Sequence, residues 1–393
     1  MTYPQNGEKI VAGVVVIGAG ITGLQTAWHL TRLGVRDVVV VERSYAGSEL
    51  YGRFSAGVRR QFGSRFEIEL VTASLPFFDE FLKIPEIKAG YEPVGYAFLA
   101  GENDRAGLYR SWQLQQAMGV RSEWLVGSRI KEYFPYIESA GVVAATFGPD
   151  DFWLNPWTVH QWLLQKCKEA GVQVFEHCPV TSIEVKDGNI RAVVCPGRRI
   201  ETSKVVNAAG ARARLVQQMA GSDVPVEPSP RVKYLVKAPS DLPRTMPLIT
   251  DLVTGTYVRN EGGEAIVGVK PLTHVTGYDY DTSQAALESM HHLAGLRYPS
   301  LAKIKPLEPN RVITGLYDVA PDGLPVVGAD PAVKGLYLAA GFNGHGVMFS
   351  PAIARSVAEL VALGQTETFD LAPLSPARFS GKQKEAETAL HLL

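Results

Sequence analysis

The sequence predicts a fold with an α/β part and an α+β part, and three observations support this. A glycine-rich turn lies between two valine-rich segments near the start of the 393-residue chain. Two further apolar segments that end in glycine, residues 204–210 and 335–341, occur far along the chain. The stretches between these segments contain short strand-like runs and a hairpin pattern. We therefore expect a discontinuous α/β domain that is interrupted by a second domain.

Composition and charge exclude several classes of partner. The chain is 46% hydrophobic and 20% charged, which is typical of a globular protein, and its net charge is -1. Nucleic acids and anionic membrane surfaces call for a basic protein surface, so we expect neither as a partner. Three cysteines without C-x-x-C spacing indicate neither a disulfide framework nor a metal site, and they favour a cytoplasmic location. The apolar run at 10–23 is interrupted by glycines, so it is less typical of a signal peptide, and we expect no membrane span.

The first unit has the order strand, turn, helix, strand. Val11–Ile17 is predicted to be a buried parallel strand. It is followed by Gly18-Ala19-Gly20-Ile21-Thr22-Gly23, which matches G-x-G-x-x-G. A helix should continue to about Leu33, with Gly34 as its stop, before a second strand at Val38–Val41.

This unit predicts a dinucleotide site. The glycines permit a tight turn, a close approach of the pyrophosphate to the backbone, and close packing of helix on strand. Glu42 closes the second strand, where a carboxylate accepts hydrogen bonds from the ribose hydroxyls and disfavours the 2′-phosphate of NADP. The unit alone does not discriminate between FAD and NAD, and a purely structural glycine turn is the alternative.

Two distant segments are predicted to complete the domain. Gly335–Gly341 should form a strand that leads, through 342–348, into a helix from about Ser350 to Leu363. Lys204–Gly210 should form a strand that runs into small residues. The second helix would direct another N-terminus at the ligand, where it attracts negative charge.

These segments together resemble one superfamily of flavoproteins. Gly18–Gly23 with Glu42, Val206–Gly210, Leu316–Gly328 and Gly341–Met348 resemble, in this order, the D-amino-acid-oxidase superfamily. The chain is most similar to sarcosine oxidases, dimethylglycine oxidases and related proline dehydrogenases, over nearly its whole length. The resemblance implies bound FAD, a discontinuous Rossmann-like FAD-binding domain, and a substrate domain whose mostly antiparallel sheet covers the isoalloxazine ring.

The sequence agrees with this division into domains. We assign residues 8–85, 145–215 and 310–370 to the FAD-binding domain, 86–144 and 216–309 to the substrate domain, and 371–393 to a C-terminal tail. A helix is expected with Asn155 as N-cap, Pro156 at its first position and Gly171 beyond its end. In the substrate domain we expect a strand at Arg231–Val236 and a hairpin at Thr256–Lys270.

The resemblance also assigns residues to the cofactor site. The loop 341–346 should reach the pyrimidine edge of the flavin, where the following helix N-terminus stabilises negative charge at N1 and O2. For His345 a backbone role in this loop is favoured over acid–base catalysis. The full predicted set is Gly18, Gly20, Ile21, Thr22, Gly23, Glu42, Arg43, Ser48, Arg53, Ser55, Val180, Ala209, Gly210, Gly315, Gly341, Asn343, Gly344, His345, Gly346, Val347 and Met348.

Five residues are predicted to act on the substrate. Arg59 matches the arginine that binds the substrate carboxylate in sarcosine oxidases, a task that suits a planar guanidinium; a surface charge or a phosphate contact is the alternative. Tyr257 corresponds to a tyrosine that lines their pocket. Lys270 and His274 match their lysine and histidine on the substrate side of the flavin, against the alternative of a solvated lysine and a surface histidine. Tyr317 would close the pocket or serve a structural role.

The hairpin pattern supports one of these placements. Side chains alternate faces along a strand, so Tyr257, Gly268 and Lys270 share a face if the hairpin loop has two or four residues. A three-residue loop would place Tyr257 on the other face.

Two positions differ from the monomeric sarcosine oxidases. Gly315 stands where those enzymes attach FAD through a cysteine, so we expect FAD to be held noncovalently. Met348 stands where they have a lysine that binds the carboxylate. The absence of this lysine charge predicts a more apolar pocket, which suits a bulkier amine or a cyclic imino acid.

We therefore expect FAD-dependent oxidation of a secondary or tertiary amino acid such as sarcosine, dimethylglycine or proline. Hydride transfer to flavin N5 would give an imine, and oxygen or another electron acceptor would reoxidise the flavin. The alternatives are oxidation of a primary amino acid or a 2-hydroxy acid, and a noncatalytic subunit or assembly factor that carries the flavin.

Overall fold

A computed structural model describes residues 8–49, 56–88, 90–270, 275–305 and 307–380. Over these residues the strands are β1 (Glu8–Val11), β2 (Val14–Ile17), β3 (Val38–Val41), β4 (Gly57–Val58), β5 (Tyr91–Glu92), β6 (Tyr96–Ala100), β7 (Glu123–Leu125), β8 (Ala144–Gly148), β9 (Phe152–Leu154), β10 (Gln173–Phe175), β11 (Ser182–Lys186), β12 (Asn189–Cys195), β13 (Arg198–Glu201), β14 (Val205–Asn207), β15 (Glu227–Lys237), β16 (Leu248–Asp251), β17 (Thr256–Glu261), β18 (Glu264–Val269), β19 (Arg311–Val319), β20 (Val326–Ala329) and β21 (Leu336–Ala340). The α-helices are α1 (Ile21–Arg32), α2 (Arg65–Phe81), α3 (Pro85–Lys88), α4 (Glu102–Ala117), α5 (Ser128–Tyr133), α6 (Pro156–Glu169), α7 (Ala213–Met219), α8 (Gln284–Arg297) and α9 (Gly346–Leu363).

A six-stranded sheet in the order β10-β3-β2-β14-β21-β20 forms the α/β part. Its strands are parallel except for β20, which is antiparallel to β21. β2 and β3 are buried throughout, as expected for parallel strands that are covered on both faces. One face packs on α1, α2, α6 and α9, and the other faces a four-stranded sheet, β1-β13-β12-β11, and α7.

The expectation of one strand at Val11–Ile17 was wrong. β1 ends at Val11, pairs with β13 in the four-stranded sheet, and leaves Val11 exposed, whereas β2 starts at Val14 in the six-stranded sheet. Gly13 lies between the two, where a Cβ would come within 2.4 Å of the Arg36 carbonyl oxygen. The chain therefore changes sheets where only a glycine fits.

An eight-stranded sheet in the order β19-β15-β18-β17-β16-β6-β8-β7 forms the other part. Its pairs are antiparallel except for β6 with β16. One face carries Tyr234, Val236, Val258 and Val267 into a core with α8. Since side chains alternate along a strand, Arg231, Lys233 and Tyr257 lie on the opposite face.

The predicted hairpin at Thr256–Lys270 is confirmed. β17 and β18 are joined by the two residues Gly262 and Gly263, both with positive φ, which is typical of two-residue hairpin turns. Tyr257 pairs with Gly268 across the ladder, as a two-residue loop requires.

The predicted helices form, with one shifted boundary. α1 ends before Gly34, which has φ +83°, and α6 begins after Asn155, whose side chain accepts a hydrogen bond from Trp157 N at 3.0 Å. The last helix was expected from about Ser350, but α9 begins at Gly346. Its first turn has no capping side chain, so the sequence offers no start signal there.

The helix α9 is also long and apolar enough to cross a membrane by length and composition. Within the described residues it is the one such helix, and 67% of it is buried against the rest of the protein. It packs on α1 and α2, as the core helix of a folded domain does.

The division of the chain into two domains stays a prediction. Two strands that lie largely or wholly in ranges assigned to the FAD-binding domain, β8 and β19, pair in the eight-stranded sheet instead. The chain therefore passes between the two large sheets at other points than the assigned ranges predict.

Candidate active site

The glycine turn after β2 is built as the sequence predicts. Gly18 has φ +108°, and a Cβ there would lie 2.5 Å from the Ala208 carbonyl oxygen. A Cβ on Gly23 would lie 1.9 Å from the Gly18 carbonyl oxygen, so this glycine permits the turn to pack on its own helix. Gly20 has no atom within 4 Å of the Cβ position and lines a cavity. It is therefore the position at which a ligand can approach the backbone.

The Glu42 carboxylate is fixed at the end of β3. Its Oε2 accepts a hydrogen bond from Ala19 N at 3.0 Å, and its Oε1 accepts one from Ser44 N at 2.9 Å. Each carboxylate oxygen has a second lone pair, so both can still accept a hydrogen bond from a ribose hydroxyl.

Two helix N-termini meet beside the same cavity. Thr22 Oγ1 in α1 and Ser350 Oγ in α9 are 2.8 Å apart. Neither helix has an acidic residue in its first turn or a side chain that caps its N-terminus. Both positive dipole ends thus lie beside the cavity and favour an anionic ligand there.

The loop 341–346 is held in place by β19. Asp318 Oδ2 accepts a hydrogen bond from Gly341 N at 2.8 Å, and the Asp318 carbonyl accepts one from Asn343 N at 2.9 Å. Asn343 has φ +53°. Its Oδ1 accepts a hydrogen bond from Ala320 N, and its Nδ2 donates one to the Gly341 carbonyl. Burial raises the pKa of Asp318 to about 6, although its hydrogen bonds from backbone N–H groups oppose this.

The cavity between these elements fits an extended dinucleotide. It runs from Glu42 past Gly20 to Gly344, with small residues at 208–211 on one wall, so its shape and donors match a pyrophosphate between two nucleoside ends. Many predicted cofactor residues line it, namely Gly18, Gly20, Ile21, Thr22, Glu42, Arg43, Ser48, Val180, Ala209, Gly210, Gly344, Gly346 and Val347.

The other predicted cofactor residues lie elsewhere. Gly23, Gly315, Gly341, Asn343, His345 and Met348 are not on the wall of this cavity. Gly23, Gly341 and Asn343 shape the backbone of its walls instead, as described above. Met348 is 6% exposed and belongs to the core. Arg53 and Ser55 lie outside the described residues, as does His274.

Arg59 is buried at the meeting point of the two parts of the protein. It is 4% exposed, and its guanidinium carbon lies 4.0 Å from the centre of the Phe62 ring and 5.2 Å from that of Phe98. Its Nη1 donates to the Gln61 carbonyl, and its Nη2 lies 3.1 Å from His345 Nε2. Because a guanidinium only donates, His345 accepts through Nε2 and is neutral.

Contacts on the opposite wall come from the eight-stranded sheet. A Cβ on Gly268 would lie 2.2 Å from the Tyr257 hydroxyl oxygen, so the Tyr257 side chain lies directly over Gly268. A Cβ on Gly344 would lie 2.3 Å from the Tyr317 ring, which places Tyr317 over the loop 341–346. Two small residues thus make room for two tyrosines.

Lys270 lies close to these groups. Its backbone N donates to the Gly255 carbonyl at 2.8 Å, directly after β18. Its side chain keeps contact with solvent. Partial desolvation lowers the pKa of Lys270, and the positive charges of Arg59 and Arg231 lower it further. The role of Lys270 at the flavin stays a prediction.

Sequence reasoning missed two parts of this site. Arg231, in β15, has its guanidinium carbon 4.6 Å from the centre of the Tyr317 ring. Asp151 accepts hydrogen bonds from Arg60 N and Gln61 Nε2, both at 2.8 Å, and so holds the segment that carries Arg59. The alternation of side chains along β15 places Arg231 and Lys233 on one face, but it does not indicate that this face meets the site. Nothing in the sequence relates Asp151 to a segment 90 residues earlier.

The sequence profile described as "DAO: FAD dependent oxidoreductase" matches residues 13–360 of this chain. The chain belongs to this family. Its members depend on FAD, and the lining of the cavity described above fits an extended FAD. The resemblance that the sequence motifs indicated, and the fold class that follows from it, are confirmed.

Individual relatives agree with the family. "FAD-dependent oxidoreductase domain-containing protein 1" of Xenopus laevis is 30% identical to this member over 94% of this chain and 82% of its own length. "4-methylaminobutanoate oxidase (formaldehyde-forming)" of Paenarthrobacter nicotinovorans is 26% identical over 94% of this chain and 46% of its own length. The crystal structure of L-proline dehydrogenase from P. horikoshii superposes with a TM-score of 0.86 and 27% identity, covering 95% of this chain and 99% of that one.

Proposed function

We propose that this FAD-dependent oxidoreductase oxidises a secondary or tertiary amino acid of the sarcosine, dimethylglycine or proline type. The observation that carries the proposal is the buried Arg59, which lies beside the N-terminus of α9 and near Lys270. A buried guanidinium is suited to a carboxylate because it can donate two parallel hydrogen bonds. The names of two relatives, a 4-methylaminobutanoate oxidase and an L-proline dehydrogenase, describe enzymes that act on secondary amines carrying a carboxylate.

The proposal assigns a separate role to each residue of the site. Arg59 binds the substrate carboxylate and His345 orients the Arg59 guanidinium by accepting from its Nη2. Tyr257 and Tyr317 bound the pocket on the side of the eight-stranded sheet and limit the poses of the amine. FAD held in this site would supply a hydride acceptor for the carbon next to the amine nitrogen. The oxidised substrate would be an imine, or an iminium ion from a tertiary amine, which water hydrolyses.

Two features of the chain, one helix N-terminus and one lysine, support its role in the electron transfer. The N-terminus of α9 has no acidic residue in its first turn, so its dipole favours negative charge that accumulates near the loop 341–346. The ammonium of Lys270 would stabilise negative charge that develops on an electron acceptor such as oxygen. Because residue 315 is glycine, we propose that FAD is held without a covalent bond at this position.

Steady-state turnover tests the proposal. The FAD-loaded protein is supplied with sarcosine, N,N-dimethylglycine, L-proline, glycine, D-alanine and lactate in turn, with oxygen or a redox dye as acceptor. We expect one of the secondary or tertiary amino acids to give the highest kcat/KM, and reduced acceptor to equal the carbonyl or cyclic imine product. Highest turnover of lactate or of a primary amino acid, or no turnover of any, would overturn the proposal.

A further inference from the structure

The peptide group between Ala19 and Gly20, in the first glycine turn, separates two environments. Ala19 is completely buried, whereas Gly20 lines the dinucleotide cavity. The carbonyl of Ala19 and the N–H of Gly20 belong to one planar trans peptide, so they point in opposite directions. A group that holds the Ala19 carbonyl therefore also sets the direction of the Gly20 N–H.

Two donors hold the Ala19 carbonyl. His160 Nε2, from α6, lies 2.8 Å from its oxygen, and Gly47 N lies 3.2 Å from it. Because a carbonyl oxygen only accepts, His160 donates through Nε2. The N–H of Ala19 itself donates to Glu42 Oε2 at 3.0 Å. The peptide groups on both sides of Ala19 are thus held by hydrogen bonds from other parts of the chain.

The surroundings of the His160 ring fix its orientation and its protonation. The ring is completely buried and stacks on the Trp157 ring, with 5.5 Å between their centres. Its Nδ1 lies 3.2 Å from Gln161 Nε2, which only donates, so Nδ1 accepts and the imidazole is neutral. Burial also lowers the pKa of His160, although the hydrogen bond to Ala19 and the charge of Glu176 oppose this. One tautomer, with its proton on Nε2, satisfies both ring nitrogens.

Gly47 makes room for the His160 ring. It has φ +79°, and a Cβ there would lie 2.7 Å from His160 Cε1 and 2.9 Å from His160 Nε2. A glycine is therefore required both by the backbone and by the imidazole. Packing alone would be served by an apolar side chain at position 160, because that would bury no polar atoms. The polar edge of the ring instead meets the Ala19 oxygen.

The N–H of Gly20 is the group that this arrangement directs away from His160. Among the described residues it has no hydrogen-bond acceptor, and it belongs to the turn at which a pyrophosphate approaches the backbone. We propose that His160 is a positioning residue for FAD, which holds the Ala19 carbonyl and so directs the Gly20 N–H at the pyrophosphate. The inference goes beyond the proposed oxidation, because it holds whichever substrate the protein oxidises.

Two variants of similar size separate the hydrogen bond from the packing of the ring. His160→Leu loses both the ring and the donor, whereas His160→Gln loses the ring but retains an N–H at about the position of Nε2. FAD binding to the apoprotein is measured by fluorescence titration. We expect Kd to rise about tenfold in His160→Leu, the loss that accompanies a misdirected hydrogen bond to a charged group, and to stay within about threefold of the wild type in His160→Gln.

ADP provides a second measurement, since it carries the pyrophosphate without the flavin. Its inhibition constant, from competition with FAD, should rise by the same factor of about ten in His160→Leu. The control Val159→Ala changes the preceding residue of α6, which is 3% exposed and belongs to the core. It should lower the melting temperature of the apoprotein and leave both constants unchanged, because Val159 does not hold the Ala19 carbonyl.

Each other result would overturn the inference. Equal losses of FAD affinity in His160→Leu and His160→Gln would show that the ring acts through packing. An unchanged Kd in His160→Leu would show that the hydrogen bond has no effect on the cofactor. A loss of affinity for FAD that spares ADP would show that the effect lies away from the pyrophosphate. If the apoprotein of His160→Leu does not fold, His160→Asn takes its place, because that side chain is too short to reach the Ala19 oxygen.

Discussion

The glycines of the first turn have different physical tasks, although they belong to one motif. Gly23→Ala would force a Cβ to within 1.9 Å of the Gly18 carbonyl, so we expect it to destabilise the apoprotein by about 1–3 kcal/mol. Gly20→Ala is the matched variant, because its Cβ meets no protein atom within 4 Å and points into the cavity. It should leave the melting of the apoprotein unchanged and weaken FAD binding in a fluorescence titration. Equal melting temperatures for the two apoprotein variants would contradict this assignment.

Lys233 predicts a dependence of stability on pH. It is 4% exposed in β15, and burial lowers its pKa to about 7, with Arg259 and Arg311 adding to the effect and Glu261 opposing it. The folded state then binds fewer protons than the unfolded state between pH 7 and about 10, so the free energy of unfolding should rise across this interval. Urea unfolding of Lys233→Met should show a shallower rise. Lys237→Met, at the exposed end of the same strand, is the control and should follow the wild type; identical pH profiles for all three proteins would refute the prediction.

At the scale of single residues, most of the predicted cofactor residues line one cavity, whereas Arg231 on the opposite wall was not predicted. Gly18, Gly20 and Glu42 act through local backbone geometry, which a short motif specifies completely. Arg231 and Lys233 depend on which face of β15 meets the nucleotide-binding part, and a strand pattern does not specify that. Asp151 acts through contacts with a segment distant in sequence.

At the scale of single elements, the N-cap of α6 can be tested directly. Asn155 Oδ1 accepts the hydrogen bond from Trp157 N, so Asn155→Ala should lower the free energy of unfolding by about 1 kcal/mol. Asn155→Asp retains an acceptor and adds a favourable charge at the helix N-terminus, so it should match the wild type. Urea unfolding measures both, and an alanine variant as stable as the wild type would show that the cap contributes nothing.

Elements with local signals were the ones that the sequence predicted well. α1 has a glycine at its end, α6 has a capping asparagine, and the hairpin has Gly262 and Gly263. Val11 was merged with β2 because residues 10–17 are apolar apart from Gly13, and the separation of β1 from β2 depends on pairing with different sheets. The first turn of α9 was missed because the loop held by Asp318, rather than a capping side chain, sets its start.

At the scale of the whole molecule, a buried ion pair connects helix α8 to the eight-stranded sheet on which it packs. Arg297 Nε in α8 lies 2.8 Å from Asp251 Oδ2 in β16, with exposures of 2% and 1%, and its Nη1 donates to the carbonyls of Glu138 and Ala140. Arg297→Met leaves Asp251 buried without its partner and should cost about 3–5 kcal/mol in unfolding free energy.

The exposed pair of Arg129 and Glu123 provides the comparison for this prediction. Arg129→Met removes an ion pair of 3.2 Å that faces solvent, so it should cost at most about 1 kcal/mol. The two variants are compared by urea unfolding of the FAD-free protein, because bound FAD would itself raise the apparent stability. A cost for Arg297→Met no larger than that for Arg129→Met would contradict the account.

The central claim is that this protein uses FAD to oxidise an amino acid whose carboxylate is bound by Arg59. The most direct test is a single anaerobic mixing of the FAD-loaded protein with sarcosine, N,N-dimethylglycine, L-proline or iminodiacetate, followed by the absorbance of oxidised flavin. We predict loss of this absorbance with at least one of these amines, and at least tenfold weaker substrate binding in Arg59→Met at an unchanged flavin content. Absorbance that persists with every amine, or an Arg59→Met variant that is reduced at the same substrate concentrations as the wild type, would contradict the claim.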